Sequence, residues 1–195
     1  MTKDEVLAHY RATGALLEGH FILSSGLRSP MYLQSARVLM HPERAEAFGR
    51  ALAARVVASL GRDPVDVVIS PAMGGLIIGH EVGRALGKPA MFTERVDGVF
   101  TLRRGFALEP NTRVLVVEDV VTTGKSTKEC AAAIAEHGGQ VVAACSIIDR
   151  TDGEVSLGLP YFSLCGLKVP AYDAENLPPE LQEIPAIKPG SRGLK

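Results

Sequence analysis

The sequence predicts an α/β protein with a doubly wound, mainly parallel β-sheet that is flanked by helices. Residues 65–69, 114–117 and 141–148 form short runs that are continuously apolar instead of alternating. Strands buried on both faces have this composition, which is typical of parallel sheets covered by helices. Helical stretches over residues 74–86 and 126–137 follow the first two runs, and each is followed by a glycine that favours a left-handed helix cap. This order of strands and helices indicates βαβ units.

Two further helices are expected near the N-terminus, over residues 4–13 and 42–59. In the second, Pro42 occupies a first-turn position and apolar residues recur at helical spacing. Between these helices, residues 21–33 have apolar ends around a Ser-Gly-Pro middle, which is typical of a hairpin. We expect this hairpin to belong to a small N-terminal hood, spanning about residues 15–40.

The remaining segments are a loop and a tail. Residues 93–105 are polar, interrupted by glycine and longer than an ordinary α/β connection, so we expect a mobile functional loop there. Several prolines follow residue 177, and we expect residues 177–195 to be partly irregular. With 195 residues, the chain is expected to form one domain over residues 1–195.

Composition limits the possible partners and compartments. The formal net charge is −1, which argues against an electrostatic grip on nucleic acid or on an anionic membrane surface. No apolar run approaches the roughly 18 residues of a membrane span, and the polar N-terminus carries no secretory signal. Three widely spaced cysteines indicate small reduced core residues and not a metal site. We therefore expect a cytoplasmic protein with no membrane or nucleic-acid partner.

The segment most informative about chemistry runs over residues 113–126 and ends in Gly124-Lys125-Ser126. This ending imitates a nucleotide-binding P-loop. A P-loop requires another glycine five positions before its second one, and this chain has Asp119 there. The nucleoside-triphosphate interpretation is therefore excluded.

What remains is a buried strand that ends in Glu118 and Asp119, a turn over residues 122–126 and then a helix. Backbone N–H groups at a helix N-terminus favour an anion such as a phosphate monoester, and the turn adds the hydroxyls of two threonines and a serine. The carboxylates repel the same phosphate, so they are better placed near sugar hydroxyls, a metal or a developing cation. The segment therefore predicts a site for a phosphorylated ribose; the alternative is a charged strand end before a capped helix.

The string Val-Glu-Asp-Val-Val-Thr-Thr-Gly-Lys-Ser closely resembles the phosphoribosyl-pyrophosphate (PRPP) motif of the type I phosphoribosyltransferases. Residues 21–33 resemble the N-terminal segment of the members that use orotate, Phe-x-Leu-x-Ser-Gly-x-x-Ser-Pro-x-Tyr, and the resemblance extends to about residue 155. It implies transfer of the 5-phosphoribosyl group of PRPP to orotate, giving orotidine 5-phosphate and pyrophosphate in pyrimidine biosynthesis. It also implies Mg²⁺ as cofactor, held mainly by PRPP, and a homodimer with shared active sites.

The resemblance assigns the catalytic roles to Asp119 and Arg95. The residues implied to bind PRPP are Met73, Gly74, Glu118, Asp119, Val120, Val121, Thr122, Thr123, Gly124, Lys125 and Ser126. The residues implied to bind orotate are Ser25, Tyr32, Thr122 and Arg150.

The chain also departs from the pattern of many relatives. They carry lysines where this chain has Ser24 and Gly74, and their mobile loop carries lysine and histidine. Here that loop offers arginines, of which Arg95 aligns best with the loop lysine of the family; an exposed hairpin is the alternative for this segment. A transferase for another nucleobase and a PRPP-sensing regulator are the alternative functions. Arg150 and the hood segment favour orotate, whereas a regulator would need a basic face or an added DNA-binding module.

Overall fold

The structure is a computed structural model that describes residues 1–23 and 26–189. It contains a six-stranded sheet and a separate two-stranded sheet. In the described residues the elements are α1 (Lys3–Ala12), β1 (Leu16–Ile22), β2 (Arg28–Leu33), α2 (Ser35–Leu39), α3 (Pro42–Leu60), β3 (Val67–Pro71), α4 (Gly75–Leu86), β4 (Ala90–Val96), β5 (Val99–Leu102), β6 (Arg113–Val121), α5 (Lys125–Glu136), β7 (Gln140–Asp149), β8 (Tyr161–Gly166) and α6 (Pro179–Gln182).

The large sheet has the strand order β5-β4-β3-β6-β7-β8. All neighbouring pairs are parallel except β4 and β5, which are antiparallel. The predicted mainly parallel sheet is thus confirmed. From β3 the chain proceeds to β4 on one side, and from β6 it proceeds to β7 on the other, so the strand order reverses between β3 and β6. At such a switch point the loops after neighbouring strands diverge and leave a crevice for a ligand.

Two apolar clusters cover the two faces of this sheet. On β6, Leu115 and Val117 belong to a cluster with residues of α1, α2, α3 and α4, whereas Val114 and Val116 belong to a cluster with residues of α5. Successive strand residues alternate between faces, so an apolar layer on each side requires the unbroken apolar run seen in the sequence. This arrangement is the predicted doubly wound fold.

Close contact between α4 and the sheet depends on glycine. A Cβ atom at Gly79 would lie 1.8 Å from Oγ of Ser70 on β3, and a Cβ atom at Gly83 would lie 2.9 Å from Cβ of Ala90 on β4. Because glycine recurs at every fourth position, the backbone of α4 packs directly against the strands. This packing also fixes the position of the loop that precedes α4.

The hood consists of the antiparallel hairpin β1–β2, and part of the C-terminal segment pairs with it. Ile187 forms a parallel bridge to Phe21, while Tyr172 forms an antiparallel bridge to Arg28. The N–H of Ile22 donates to the carbonyl of Ile187 at 2.8 Å. The tail that was expected to be partly irregular thus pairs with β1 through Ile187, while Tyr172, which precedes the tail, pairs with β2; residues 190–195 lie outside the described range.

The segment expected to be a long loop forms most of the hairpin β4–β5 instead. Its turn places Asp97 at φ 50° and Gly98 at φ 86°, and positive φ at both central residues is typical of the tight turns that join antiparallel strands. The hairpin alternative thus describes the backbone of residues 93–102, and a mobile functional role for residues 93–105 stays a prediction.

Two further observations concern the described residues. Cys130, Cys145 and Cys165 are free and buried, which confirms the prediction of reduced core cysteines. Within residues 1–23 and 26–189, no helix has the length and apolar character that crossing a membrane requires.

Candidate active site

The candidate site lies at the switch point, where the carboxyl ends of β3 and β6 adjoin. The loop that follows β3 contains Met73 and Gly74, both exposed, and the turn that follows β6 spans residues 122–124. The loop is anchored to the sheet because the N–H of Ala72 donates to the carbonyl of Thr93 at 2.9 Å. The resemblance in sequence implies that both segments bind PRPP. In the structure, the strands that precede them, β3 and β6, are neighbours in the sheet.

The turn after β6 presents polar groups to solvent at the start of α5. Thr122, Thr123, Lys125 and Ser126 are exposed, whereas Gly124 is buried. Gly124 adopts φ +73°, and a Cβ atom there would lie 2.4 Å from Cδ2 of Leu157. The first N–H groups of a helix have no partner within the helix, so the start of α5 offers donors and a positive dipole end to an anion. Glycine is thus required for the turn that places these donors.

Asp119 faces the α4 side of the sheet, next to the loop after β3. A Cβ atom at Gly74 would lie 2.7 Å from Oδ1 of Asp119, so the absence of a side chain at Gly74 makes room for the carboxyl group. Burial raises the pKa of Asp119, while hydrogen bonds from the Ser35 hydroxyl and the N–H of Val120 oppose that rise. The carboxyl group therefore belongs to a half-buried residue and is adjacent to the loop.

Glu118 lies on the opposite face, below α5. It is only 7% exposed. Burial and then the neighbouring Asp119 charge raise the pKa of Glu118 to about 8. The two carboxyl groups predicted to hold the sugar hydroxyls therefore differ in environment, because consecutive strand residues point to opposite faces.

Arg150 follows β7, beside the end of β6. Its N–H donates to the carbonyl of Val121 at 2.9 Å, so it lies close to the start of the 122–124 turn. Its Nε atom is buried and has no hydrogen-bond partner, and burial lowers the pKa of the guanidinium. A buried donor without a partner is unfavourable unless a ligand supplies an acceptor. The predicted orotate-binding residues Thr122 and Arg150 are thus neighbours.

The hood residues are less directly tied to the site. The Tyr32 hydroxyl donates to Oε1 of Gln34 at 3.1 Å, and its ring packs at 5.9 Å from that of Phe21. Ser25, the other hood residue expected to bind orotate, lies outside the described residues.

Arg95 makes its contacts away from the loop after β3. Its guanidinium donates to Glu129 of α5 and to the carbonyl of Gly98, each at 2.5 Å. It also lies 3.9 Å from the centre of the Phe100 ring. Lys125 pairs with the same Glu129 at 3.8 Å, so Arg95 belongs to a charged cluster on the first turns of α5, next to the turn at 122–124.

Three residues in contact with the site escaped prediction from the sequence. Asp149 accepts from the N–H of Thr151 at 2.8 Å and from that of Gly153 at 2.9 Å, which fixes the loop after Arg150. The hydroxyls of Ser35 and Thr127 oppose the rise in the pKa of Asp119 and of Glu118, respectively. No local sequence pattern predicts these contacts. The one hint is that polar residues occupy positions that are buried in the structure.

A model of the phosphoribosyl transferase domain matches residues 36–157. That range contains the loop after β3, both carboxylates, the turn at 122–124 and Arg150. The chain belongs to the phosphoribosyltransferase family.

Individual relatives narrow this assignment. The chain is 59% identical over 192 residues to the orotate phosphoribosyltransferase of Rhizorhabdus wittichii, covering 98% of this chain and 97% of the relative. The crystal structure of orotate phosphoribosyltransferase from Aeropyrum pernix is similar with a TM-score of 0.66 at 27% identity, over 84% of this chain and 94% of that one. The Mycobacterium tuberculosis enzyme in complex with PRPP has a TM-score of 0.61 at 25% identity, over 85% and 96% of the two chains. Within its family, this chain is an orotate phosphoribosyltransferase.

Proposed function

We propose that this chain joins orotate to the ribose of PRPP at the switch point between β3 and β6. In this reaction an orotate nitrogen that has already lost its proton to solvent forms a bond to ribose C1, the bond from C1 to the pyrophosphate oxygen breaks, and pyrophosphate leaves with that electron pair. The observation that carries the proposal is the pairing of an anion-binding turn at the start of α5 with the Asp119 carboxyl group on the strand that precedes it.

The 5-phosphate of PRPP is assigned to the turn over residues 122–126. Its hydroxyls are exposed and its N–H groups lie at the N-terminus of a helix of 12 residues, where an anion is favoured. No carboxylate belongs to this turn. The sugar phosphate is thereby held at one end by donors, while Asp119 lies toward its other end.

Asp119 is assigned to the ribose, as an acceptor for sugar hydroxyls and as a fixed negative charge near C1. As pyrophosphate departs, positive charge grows on the sugar ring, and a preorganised carboxylate stabilises it. Glu118 is placed in the same role by its sequence position. Its burial below α5 makes it the weaker contributor at neutral pH, since a pKa of about 8 keeps much of it protonated.

The loop after β3 is assigned to the pyrophosphate group, through Met73 and Gly74. Met73 is 79% exposed, so the backbone of this loop is open to a ligand. Orotate is assigned to Thr122 and Arg150, with the hood residues Ser25 and Tyr32 above the ring. The unpartnered Nε of Arg150 suits a carboxylate or carbonyl oxygen of the base.

Magnesium is expected to enter with PRPP. Among residues 1–23 and 26–189, no group of three or more metal-ligating side chains lies together. We assign the oxygen ligands of the ion mainly to the phosphates of PRPP, because Mg²⁺ is usually bound through one or two carboxylates together with substrate phosphates. When bound, the ion would help to neutralise the departing pyrophosphate.

A cytoplasmic homodimer with shared active sites completes the proposal. Arg95 is assigned to the pyrophosphate of the partner subunit's site, which requires it to leave Glu129, its present ion-pair partner. Mixing Arg95→Ala subunits with Asp119→Asn subunits should restore part of the activity, because one of the two sites would then be intact. Absence of any recovery would refute the shared site.

The proposed reaction is tested by the release of pyrophosphate from PRPP with orotate, uracil, xanthine, adenine and hypoxanthine compared in one assay. Orotate is expected to be the preferred base. Asp119→Asn should lower kcat roughly 100-fold or more with unchanged circular dichroism. Preference for another base would overturn the choice of orotate, and near-normal turnover by Asp119→Asn would remove the role given to that residue.

A further inference from the structure

We propose that Asp149 is a positioning residue for Arg150. Its buried carboxylate fixes the chain just beyond Arg150 and thereby holds the guanidinium at the base site, where it selects a base that carries a carboxylate. The inference rests on the proposed function, in which Arg150 binds orotate. In this role Asp149 acts through the residue that follows it and makes no contact with the substrate.

The backbone leading to Arg150 is held by the sheet. Asp149 is the last residue of β7, where it pairs with Val121 of β6. The N–H of Arg150 donates to the carbonyl of Val121 at 2.9 Å, and the carbonyl of Asp149 accepts from the N–H of Leu167 at 2.7 Å. The sheet thus fixes the chain as far as Arg150, and the residues beyond it need another anchor.

The Asp149 side chain is that anchor. Oδ1 accepts from the N–H of Thr151 at 2.8 Å and from the Thr151 hydroxyl at 2.7 Å, while Oδ2 accepts from the N–H of Gly153 at 2.9 Å. Asp149 is only 1% exposed, and burial of a carboxylate is costly unless hydrogen bonds compensate for the lost water. All three of these hydrogen bonds come from the loop that begins at Arg150, so this loop is held against the end of β7.

The Arg150 guanidinium has no partner that would orient it in the free protein. Its Nε atom is buried without a hydrogen-bond partner, and within residues 1–23 and 26–189 no acceptor or carboxylate pairs with the guanidinium. Its direction therefore depends on the backbone that carries it. Because an arginine binds a carboxylate through two parallel N–H···O bonds of defined geometry, displacement of this backbone weakens recognition of the orotate carboxylate.

The same loop also packs against the phosphate-binding turn. A Cβ atom at Gly124 would lie 2.4 Å from Cδ2 of Leu157 and 3.1 Å from Cγ2 of Val155. Collapse of the whole loop would therefore weaken the binding of any nucleotide through its phosphate. Loss of the hold on Arg150 weakens only the binding of ligands that carry the carboxylate, and this difference defines the measurement.

The test compares the Kd values of orotidine 5-phosphate and uridine 5-phosphate, which differ only in the carboxylate on the base, by isothermal titration calorimetry. Asp149→Asn keeps the shape of the side chain but places an amide donor against a donor of the loop. It is expected to weaken orotidine 5-phosphate about 10- to 100-fold and uridine 5-phosphate by less than about threefold. In the Arg150→Ala background, Asp149→Asn should change the Kd of orotidine 5-phosphate by less than about twofold.

Variants of Thr151 and Tyr161 provide an independent test and a matched control. Thr151→Ser keeps the hydroxyl that donates to Asp149 and should bind both nucleotides like the wild type, whereas Thr151→Val should weaken orotidine 5-phosphate about two- to tenfold. Tyr161→Phe removes a buried hydrogen bond from the same strand, since the Tyr161 hydroxyl lies 2.6 Å from Oγ of Ser146 on β7. It should lower the melting temperature and leave both Kd values unchanged.

Wild-type affinity of Asp149→Asn for orotidine 5-phosphate would refute the inference. Equal weakening of both nucleotides would also refute it, as would an undiminished effect of Asp149→Asn in the Arg150→Ala background or the same loss in Tyr161→Phe. If Asp149→Asn does not fold, the difference between Thr151→Val and Thr151→Ser decides the matter by the same pair of Kd values. A wild-type chain that binds orotidine 5-phosphate no more tightly than uridine 5-phosphate would overturn the proposed use of orotate, and this inference with it.

Discussion

Replacement of Gly124 by alanine perturbs the phosphate-binding turn in two separable ways. The residue adopts φ +73°, and the added Cβ atom would lie 2.4 Å from Cδ2 of Leu157 and 3.1 Å from Cγ2 of Val155. A left-handed conformation costs a residue other than glycine about 1–2 kcal/mol. Forcing a methyl group into a packed site costs about 1–3 kcal/mol more.

Gly87 provides the control that separates these two contributions. It adopts φ +67° after α4, and a Cβ atom there would meet nothing within 4 Å. Gly87→Ala should therefore lower the free energy of unfolding by only the backbone contribution, about 1–2 kcal/mol. Gly124→Ala should lower it by about 2–5 kcal/mol, a loss of about 4–20 °C in melting temperature for a chain of this length.

The assay combines urea denaturation followed by circular dichroism with the KM for PRPP from pyrophosphate release. Displacement of the turn should raise that KM about tenfold or more in Gly124→Ala, because small misplacements of binding groups have large effects, whereas Gly87→Ala should leave it unchanged. The double variant Gly124→Ala, Leu157→Ala should be more stable than the sum of the single effects by about 1–2 kcal/mol, since removal of Cδ2 relieves the overlap. If Gly124→Ala matched Gly87→Ala in both stability and KM, the reasoning would be refuted.

Three further predictions concern the base site, pH and the tail. Arg150→Ala should raise the KM for orotate about tenfold or more with little change in the KM for PRPP; equal changes in both would argue against a role at the base. The pKa of Glu118 is raised from 4.5 to about 8, so the folded state retains a proton that the unfolded state releases. The free energy of unfolding should therefore fall as pH rises from 4.5 to 8. In urea titrations at several pH values, Glu118→Gln should show a smaller fall, and an equal fall in both proteins would contradict this. Ile187→Pro removes the N–H that donates to the carbonyl of His20 at 2.9 Å, and it should speed tryptic cleavage of the hood after Arg28. An unchanged rate of cleavage would show that the tail does not hold the hood.

The elements predicted correctly from the sequence are those with a local physical signature. Strands β3, β6 and β7 are buried on both faces, and such burial leaves a continuous apolar run. Strands β4, β5 and β8 lie toward the sheet edges and mix polar with apolar residues, so no such run marks them. The Asp97-Gly98 pair is a hairpin signal, and its use would have replaced the expected loop with β4 and β5.

In the candidate site, too, some features have a local sequence signature and others do not. The turn after β6 is contiguous in the sequence, so its chemistry could be inferred from residue types and spacing alone. The close approach of Gly74 to the Asp119 carboxyl group joins the loop after β3 to β6, and no spacing rule links the two residues. Such contacts depend on how the strands pair and where the loops after them lie, which only the structure shows.

The separation of Glu118 and Asp119 follows from the geometry of a strand and has consequences for the site. Successive residues of a strand direct their side chains to opposite faces of the sheet. One of them is placed against the loop that precedes α4, and the other below α5. Asp119 shares its face with Gly74, so its carboxyl group lies next to the loop that follows β3. The charge on Glu118 is suppressed by burial, so the pair avoids the repulsion that two ionised neighbours would impose.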